Sequence, residues 1–160
     1  MQTRIIMQNK PAILIDLGIR LTWTRIARMY NQKAAKKGFS MSVGFILLNI
    51  QKDGTPSTQL GPKMGMEPTS LSRTLKSMEE KGFIFRKADE KDKRVVRIFL
   101  TEKGLEYRTL SREVIFDFNR KILNEVSEED LITFLNVLRK VDTVLDEHIE
   151  AESDVDYYSI

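Results

Sequence analysis

The sequence contains no cysteine and a single histidine among its 160 residues. Without cysteine there can be no disulfide, no thiolate metal ligand and no cysteine redox sensor. With one imidazole, a zinc or di-iron site would need carboxylates for nearly all its ligands, which is uncommon. No histidine or lysine stands beside a nucleophile as a hydrolytic triad requires. We therefore expect a protein that is not an enzyme and that binds no metal or cofactor.

Long apolar runs are also missing. None approaches the ~18 residues that span a bilayer, and the first residues lack the apolar stretch and cleavage site of a signal peptide. The hydrophobic content of 41% and the charged content of 31% are typical of soluble globular proteins. We expect one cytoplasmic domain over residues 1–160, with no membrane partner.

The charge is unevenly distributed along the chain. Residues 1–56 carry a net charge of +7, residues 57–101 a net +4, and residues 102–160 a net −8. A basic first half and an acidic end favour one surface that binds a polyanion and another that avoids it.

Two helices are predicted before the middle of the chain. Residues 12–37 form the first, and its two apolar stripes predict burial on more than one side, with one side against a partner subunit. A second helix begins at Ser40 or Ser42 and runs to about Lys52, where Asp53-Gly54 ends it.

The middle of the chain predicts a helix-turn-helix. Thr55-Pro56 has the pattern of a helix N-cap followed by proline, and the short helix that follows buries Leu60 and Met64. A second helix begins at Pro68 and ends at Gly82, which suits a left-handed C-terminal position. Its apolar residues lie at i, i+4 and i+7 and form one buried stripe: Leu71, Leu75 and Met78.

A β-hairpin is predicted next. Residues 83–88 are compatible with a strand, residues 89–93 are all charged, and residues 94–100 alternate between two faces. Thr101 then caps a helix to about Glu125, and Ser127 caps a last helix to about residue 149. The tail, residues 150–160, is acidic and aperiodic, and we expect it to be flexible.

This order of elements, with its motifs, resembles the multiple-antibiotic-resistance regulator (MarR) family over residues 12–149. The most specific motif is Asp92-Lys93-Arg94 followed by Leu100-Thr101, the Asp-x-Arg wing and Leu-Thr of the family. Further matches precede it at the family's spacing: Leu60, Met64, Leu75, Met78, Glu79, Gly82, Phe83 and Ile84. Glu67 departs from the family, which often has a short polar cap before the recognition helix.

The resemblance implies a mainly α fold with a small β-hairpin wing, a winged helix-turn-helix with long N- and C-terminal dimerisation helices. Residues 38–101 would form the DNA-binding lobe, and residues 12–37 and 102–149 the dimerisation helices of a homodimer. The implied partners are double-stranded DNA with a palindromic operator, and a small anionic or phenolic effector. The function implied is a ligand-responsive transcription regulator, a repressor.

Two groups of residues are predicted to contact DNA. The N-terminal residues of the second helix of a helix-turn-helix face the major groove, where hydroxyls and arginine suit base edges and phosphates. Those left exposed by the buried stripe are Thr69, Ser70, Ser72, Arg73 and Lys76. In the wing we expect Arg94 to enter the minor groove, Asp92 to brace it, and the remaining cations to contact phosphate: Lys87, Lys91, Lys93 and Arg97.

Candidates for an effector crevice are mainly aromatic: Arg20, Trp23, Tyr30, Phe39 and Phe45. Aromatic residues at helical spacing are more often ordinary core, so these positions have two interpretations. The function also has an alternative, a winged-helix protein-interaction module that does not bind DNA. A salt-independent result in a DNA-binding assay would favour that alternative.

Overall fold

The structure is a computed structural model that describes residues 14–147. It divides into two compact units, of which the first ends at Met41 and the second begins at Ser42. Among the described residues, no helix has the length and apolar character needed to cross a membrane. The helices and strands follow in this order: α1 (Ile15–Ala35), α2 (Met41–Asn49), β1 (Thr55–Pro56), α3 (Ser57–Leu60), α4 (Pro68–Glu80), β2 (Ile84–Ala88), β3 (Val96–Leu100), α5 (Glu102–Leu123) and α6 (Glu128–Asp146).

The first unit consists mainly of α1. Tyr30 and Ala34, one turn apart, are its buried residues. Gly38, with a φ of 82°, follows the helix, as expected for a residue that must adopt the left-handed conformation. Asn31 Oδ1 accepts the N–H of Met41, the last residue of this unit, at 3.0 Å.

The second unit has a closed apolar core in its first half. Seven large side chains there have essentially no exposed surface: Ile46, Leu47, Ile50, Leu60, Met78, Ile84 and Ile98. Ile50 directly follows α2, and the other six come from α2, α3, α4 and a three-stranded antiparallel sheet in the order β1-β3-β2. The predicted hairpin is formed by β2 and β3, in a register that pairs Phe85 with Phe99.

The structure corrects the assignment of Thr55-Pro56. These residues do not begin a helix; they form a short strand, in which Thr55 pairs with Ile98 and Pro56 with Arg97. The Thr55 hydroxyl accepts the N–H of Gln51 at 2.9 Å and donates to the Asn49 carbonyl oxygen, so it closes the preceding loop. The wing therefore has a third strand that the sequence analysis did not predict.

The helix expected after Thr55-Pro56 is also interrupted. The α-helix ends at Leu60, and Pro62–Met64 form a separate 3₁₀ turn. Proline cannot donate the hydrogen bond that would continue an α-helix, which accounts for the break. Leu60 is fully buried, as predicted, while Met64 is only half-buried.

The helix α4 agrees with its prediction. It begins at Pro68, and its buried residues are Leu71, Leu75 and Met78. Gly82 follows its end with a φ of 72°, which a residue with a side chain rarely adopts.

The caps of the last two helices are confirmed. The Thr101 hydroxyl accepts the N–H of Gly104 at 3.0 Å, and the Ser127 hydroxyl accepts the N–H of Asp130 at 3.0 Å. Both side chains satisfy backbone donors that have no partner within the helix. The predicted end of α6 near residue 149 and the tail, residues 150–160, lie outside the described residues.

Candidate nucleic-acid interface

The helix α4 has one apolar and one polar face. Its three buried residues lie on one side, and all five residues predicted to contact DNA are exposed on the remaining surface. They comprise three hydroxyls and two cations: Thr69, Ser70, Ser72, Arg73 and Lys76. The structure brings them together on one helix, as the spacing predicts, and their contact with DNA stays a prediction. Glu67 is at the N-cap without a side-chain capping bond.

The tip of the wing is organised by Asp92. Its carboxylate accepts two hydrogen bonds from the Arg94 guanidinium, at 3.1 Å from Nε and at 3.0 Å from Nη2, and a third from the Arg94 backbone N–H at 3.0 Å. This pair is the one that the two-residue spacing predicts. The Arg94 side chain is nevertheless 91% exposed, so its outer surface is available to a ligand.

The base of the wing is organised by a second pair, Asp89 and Arg97. One Asp89 carboxylate oxygen accepts the N–H groups of Lys91 at 2.8 Å and Asp92 at 3.0 Å. The other accepts Nε–H of Arg97, whose Nη1 donates to the Gly54 carbonyl oxygen at 2.9 Å. Arg97, predicted as a phosphate contact, therefore has protein partners at both Nε and Nη1.

The hydrogen bonds of the two pairs also lower the pKa values of both aspartates. Hydrogen bonds from Arg97 and from the backbone N–H groups of the tip hold the pKa of Asp89 far below its usual range. The side-chain and backbone donors of Arg94 lower the pKa of Asp92. The lowered pKa values mean that the folded wing stabilises the ionised form of both carboxylates, and this contribution to stability is lost as the pH falls through the lowered values.

The other cations of the wing are exposed. Lys87 forms an ion pair of 3.4 Å with Glu90, and exposed pairs of this kind are weak. Lys91 and Lys93 are exposed at the tip, and their contact with phosphate stays a prediction.

The sequence analysis placed Asp89 in the hairpin turn but gave neither Asp89 nor Gly54 a role in organising the wing. An aspartate at a hairpin turn often accepts backbone N–H groups, and this pattern would have marked Asp89. Nothing in the sequence indicates the bond from Arg97 to Gly54, because 43 residues separate them.

The start of α5 is tied to the exit of α4. The Thr101 hydroxyl lies 2.6 Å from the Gly82 carbonyl oxygen, and the Thr101 N–H donates to the Phe83 carbonyl oxygen at 3.1 Å. A Cβ on Gly104 would collide with that same carbonyl group. Lys103 Nζ donates to the Lys81 carbonyl oxygen at 2.8 Å and lies 4.8 Å from the centre of the Phe83 ring.

A cavity of about 500 Å³ lies in the second unit between Leu48 of α2 and one side of α5. Its remaining lining combines apolar side chains with two arginines: Arg108, Thr109, Arg112, Ile115, Phe116 and Asn119. The Arg112 guanidinium lies 5.0 Å from the centre of the Phe116 ring. An apolar cavity with a few polar groups is typical of small-molecule sites.

The residues predicted for an effector crevice fall in both units. Arg20 and Trp23 are exposed on α1, Tyr30 and Phe39 are buried in the first unit, and Phe45 is half-buried on α2. None of the five lines the cavity beside α5. Their role in effector binding remains a prediction.

The lobe formed by residues 42–101 defines the class of the protein. A helix-turn-helix whose second helix presents a polar face beside a β-hairpin is a winged helix-turn-helix. Residues 40–96 match the sequence model of the MarR family, and the predicted resemblance is thereby confirmed over these residues.

Solved structures share this fold. The structure of a Staphylococcus aureus MepR–DNA complex matches with a TM-score of 0.75 and 20% identity, covering 83% of this chain and 99% of that one. The transcriptional regulator SlyA matches with a TM-score of 0.75 and 20% identity, covering 85% and 96%. MepR in its DNA-binding conformation gives a TM-score of 0.74 at 20% identity, covering 83% and 99%.

Proposed function

We propose that the protein is a transcription regulator that binds double-stranded DNA in a sequence-specific way, as a homodimer on a palindromic operator. The family match and the winged-helix fold support a DNA-binding regulator. In this proposal the protein acts as a repressor, and its affinity for DNA changes when a small ligand binds.

The polar face of α4 is the observation that carries this proposal. Its N-terminal half presents Thr69, Ser70 and Arg73, the part of a recognition helix that contacts base edges. The wing places a second exposed arginine, Arg94, on the same lobe. Arginine forks match guanine in the major groove and also enter narrow minor grooves.

The homodimer is supported by the apolar surface of α5 and α6. Phe116 on α5 is 57% exposed, and Phe134 and Val144 on α6 are 56% and 54% exposed. Exposed apolar surface of this extent is typical of an interaction site. A symmetric dimer with two recognition helices would read two half-sites about one helical turn apart.

The ligand response is supported by the cavity beside α5. Two arginines, Arg108 and Arg112, line a surface that is otherwise mainly apolar, which suits an aromatic carboxylate or a phenolate. Benzoate is a suitable first probe. It should release the protein from DNA, and Arg112→Ala should raise the concentration required while leaving DNA affinity without ligand unchanged.

Selection of bound sequences from random DNA tests the proposal. We expect enrichment of a palindrome with half-sites centred about 10 base pairs apart. The enriched DNA should bind with a strong dependence on salt, because phosphate contacts release counterions. Absence of enrichment together with a salt-independent signal would contradict DNA binding and favour a protein-interaction module.

A further inference from the structure

The wing contains two aspartate–arginine pairs that differ in exposure. Arg94, paired with Asp92 at the tip, is 91% exposed, whereas the side chain of Arg97 is 31% exposed and its partner Asp89 is 11% exposed. The exposed arginine keeps one side of its guanidinium open to a ligand. The half-buried arginine faces the protein.

Arg97 connects three parts of the chain. It belongs to β3, its Nε–H donates to Asp89 directly after β2, and its Nη1 donates to Gly54 in the loop before β1. Asp89 in turn accepts the N–H groups of Lys91 and Asp92, the first residues of the tip. The order of contacts therefore runs from the Gly54 loop through Arg97 and Asp89 to the tip.

The Gly54 loop is a fixed anchor for this chain of contacts. Gly54 has a φ of 80°, and a Cβ there would collide with the ring of Phe99. The buried Thr55 hydroxyl closes the same loop on Gln51. Because the same hydroxyl donates to the Asn49 carbonyl oxygen at the end of α2, the Gly54 carbonyl group gives Arg97 a partner that is bonded to the body of the lobe.

We propose that Arg97 is a positioning residue, which clamps the wing to the lobe so that Arg94 is held ready for DNA. The inference rests on the proposed function, since it concerns the same interface. It assigns Arg97 a role different from the phosphate contact that its charge predicts. The Asp89 carboxylate offsets the charge of Arg97 at close range, so this arginine adds little attraction for phosphate.

A double-mutant cycle with Arg94 tests the clamp. In the otherwise unchanged protein, Arg94→Ala should weaken binding to the selected DNA by about tenfold. In the Arg97→Ala background the same change should weaken it by less than about twofold, because the tip is no longer held in place. Additive losses would overturn the proposal, since they indicate that Arg97 contacts DNA independently.

Arg97→Lys gives a second readout. A lysine keeps the charge and would retain a phosphate contact, but it lacks the planar fork that bonds Asp89 and Gly54 together. We therefore expect Arg97→Lys to lose most of the affinity that Arg97→Ala loses. Wild-type affinity in Arg97→Lys would overturn the clamp.

Lys87 provides the matched control. It is the cross-strand partner of Arg97 on β2, and its side chain is 60% exposed. Lys87→Ala should combine additively with Arg94→Ala, as two independent contacts do. If Lys87→Ala and Arg94→Ala were as strongly coupled as Arg97→Ala and Arg94→Ala, any change in the wing would reduce the contribution of Arg94. That result would overturn the role assigned to Arg97.

Two further measurements distinguish failure of the clamp from unfolding of a variant and from failure of the proposed function. Circular dichroism identifies unfolded variants, and if Arg97→Ala unfolds, Asp89→Asn takes its place in the cycle. The amide oxygen of asparagine can still accept the tip N–H groups, while the charge opposite Arg97 is removed. Failure of the unchanged protein to bind any DNA would instead refute the proposed function.

Discussion

Ile98, in the middle of the sheet, has no exposed surface, whereas Phe134, in the middle of α6, is 56% exposed. The same contrast holds for the regions around them. The winged-helix lobe buries large side chains from every helix and from its sheet, while α6 has no buried residue among the part of the chain that the structure describes. The lobe closes its own core, whereas the last helix leaves its apolar side exposed, as expected for a surface that a second copy covers in the proposed dimer.

The largest expected effect compares truncations in the two regions. Ile98→Ala should lower the free energy of unfolding by about 2–5 kcal/mol, because it leaves a cavity in a closed core. Val137→Ala, at a position on α6 that is 43% exposed, should cost less than about 1 kcal/mol in dilute protein. Urea unfolding at low protein concentration measures both, and equal losses would contradict the contrast.

The next test asks whether a second copy of the chain covers the apolar side of α6. The unchanged protein at micromolar concentration should sediment at about twice 18.6 kDa. Phe134→Glu should shift it toward monomer and cost the dimer about 2 kcal/mol or more, since a central aromatic residue is replaced by a charge. Thr133→Glu places the same charge on the neighbouring exposed position and should have little effect. A stable monomer of the unchanged protein would refute the dimer.

The polar surface of the lobe should separate into residues that read bases and residues that bind phosphate. Arg73→Ala should cost ~1–3 kcal/mol in DNA binding and relax the preference at one position in each half-site. Lys76→Ala and Lys93→Ala should weaken all sequences alike and reduce the salt slope by about 0.9 each. A uniform loss in the Arg73 variant, with its sequence preference unchanged, would contradict the assignment.

The smallest expected effect is the change in DNA affinity on replacing Asp92, and its sign decides the role of that residue. Arg94→Ala should leave thermal stability nearly unchanged and cost about 1.4 kcal/mol in binding, with partial rescue by Arg94→Lys. Asp92→Ala should also weaken binding, because Asp92 orients Arg94. Charge counting alone predicts the opposite, since the substitution removes a repulsive charge. Titrations at fixed salt measure this sign, and tighter binding would reduce the tip to an ordinary cationic loop.

Regular helices and their caps could be predicted from the sequence, because their signals are local. The stripe of Leu71, Leu75 and Met78 and the caps Thr101 and Ser127 each depend on residues within a few positions. The two-residue strand β1 could not be predicted from the sequence, because it is too short to show the alternation of a strand. The same residues, Thr55-Pro56, fit a helix cap equally well, and only pairing with β3 distinguishes the two.

The candidate site was predictable in part for a similar reason. The exposed face of α4 follows from its buried stripe, and the Asp92–Arg94 pair follows from a spacing of two. The two partners of Arg97 could not be chosen from sequence, because several acidic residues and every nearby carbonyl group were equally available. The charge of Arg97 is known from the sequence, but its partners Asp89 and Gly54 are known only from the fold.

The junction at the start of α5 has a mechanical consequence. Thr101, Lys103 and Gly104 hold the segment between α4 and β2 through three carbonyl groups and a contact too close for any side chain. Because these contacts leave little freedom at the junction, we expect the first turn of α5 and the end of α4 to move together. In the proposed complex with DNA, a tilt of α5 would then change the angle at which α4 enters the groove.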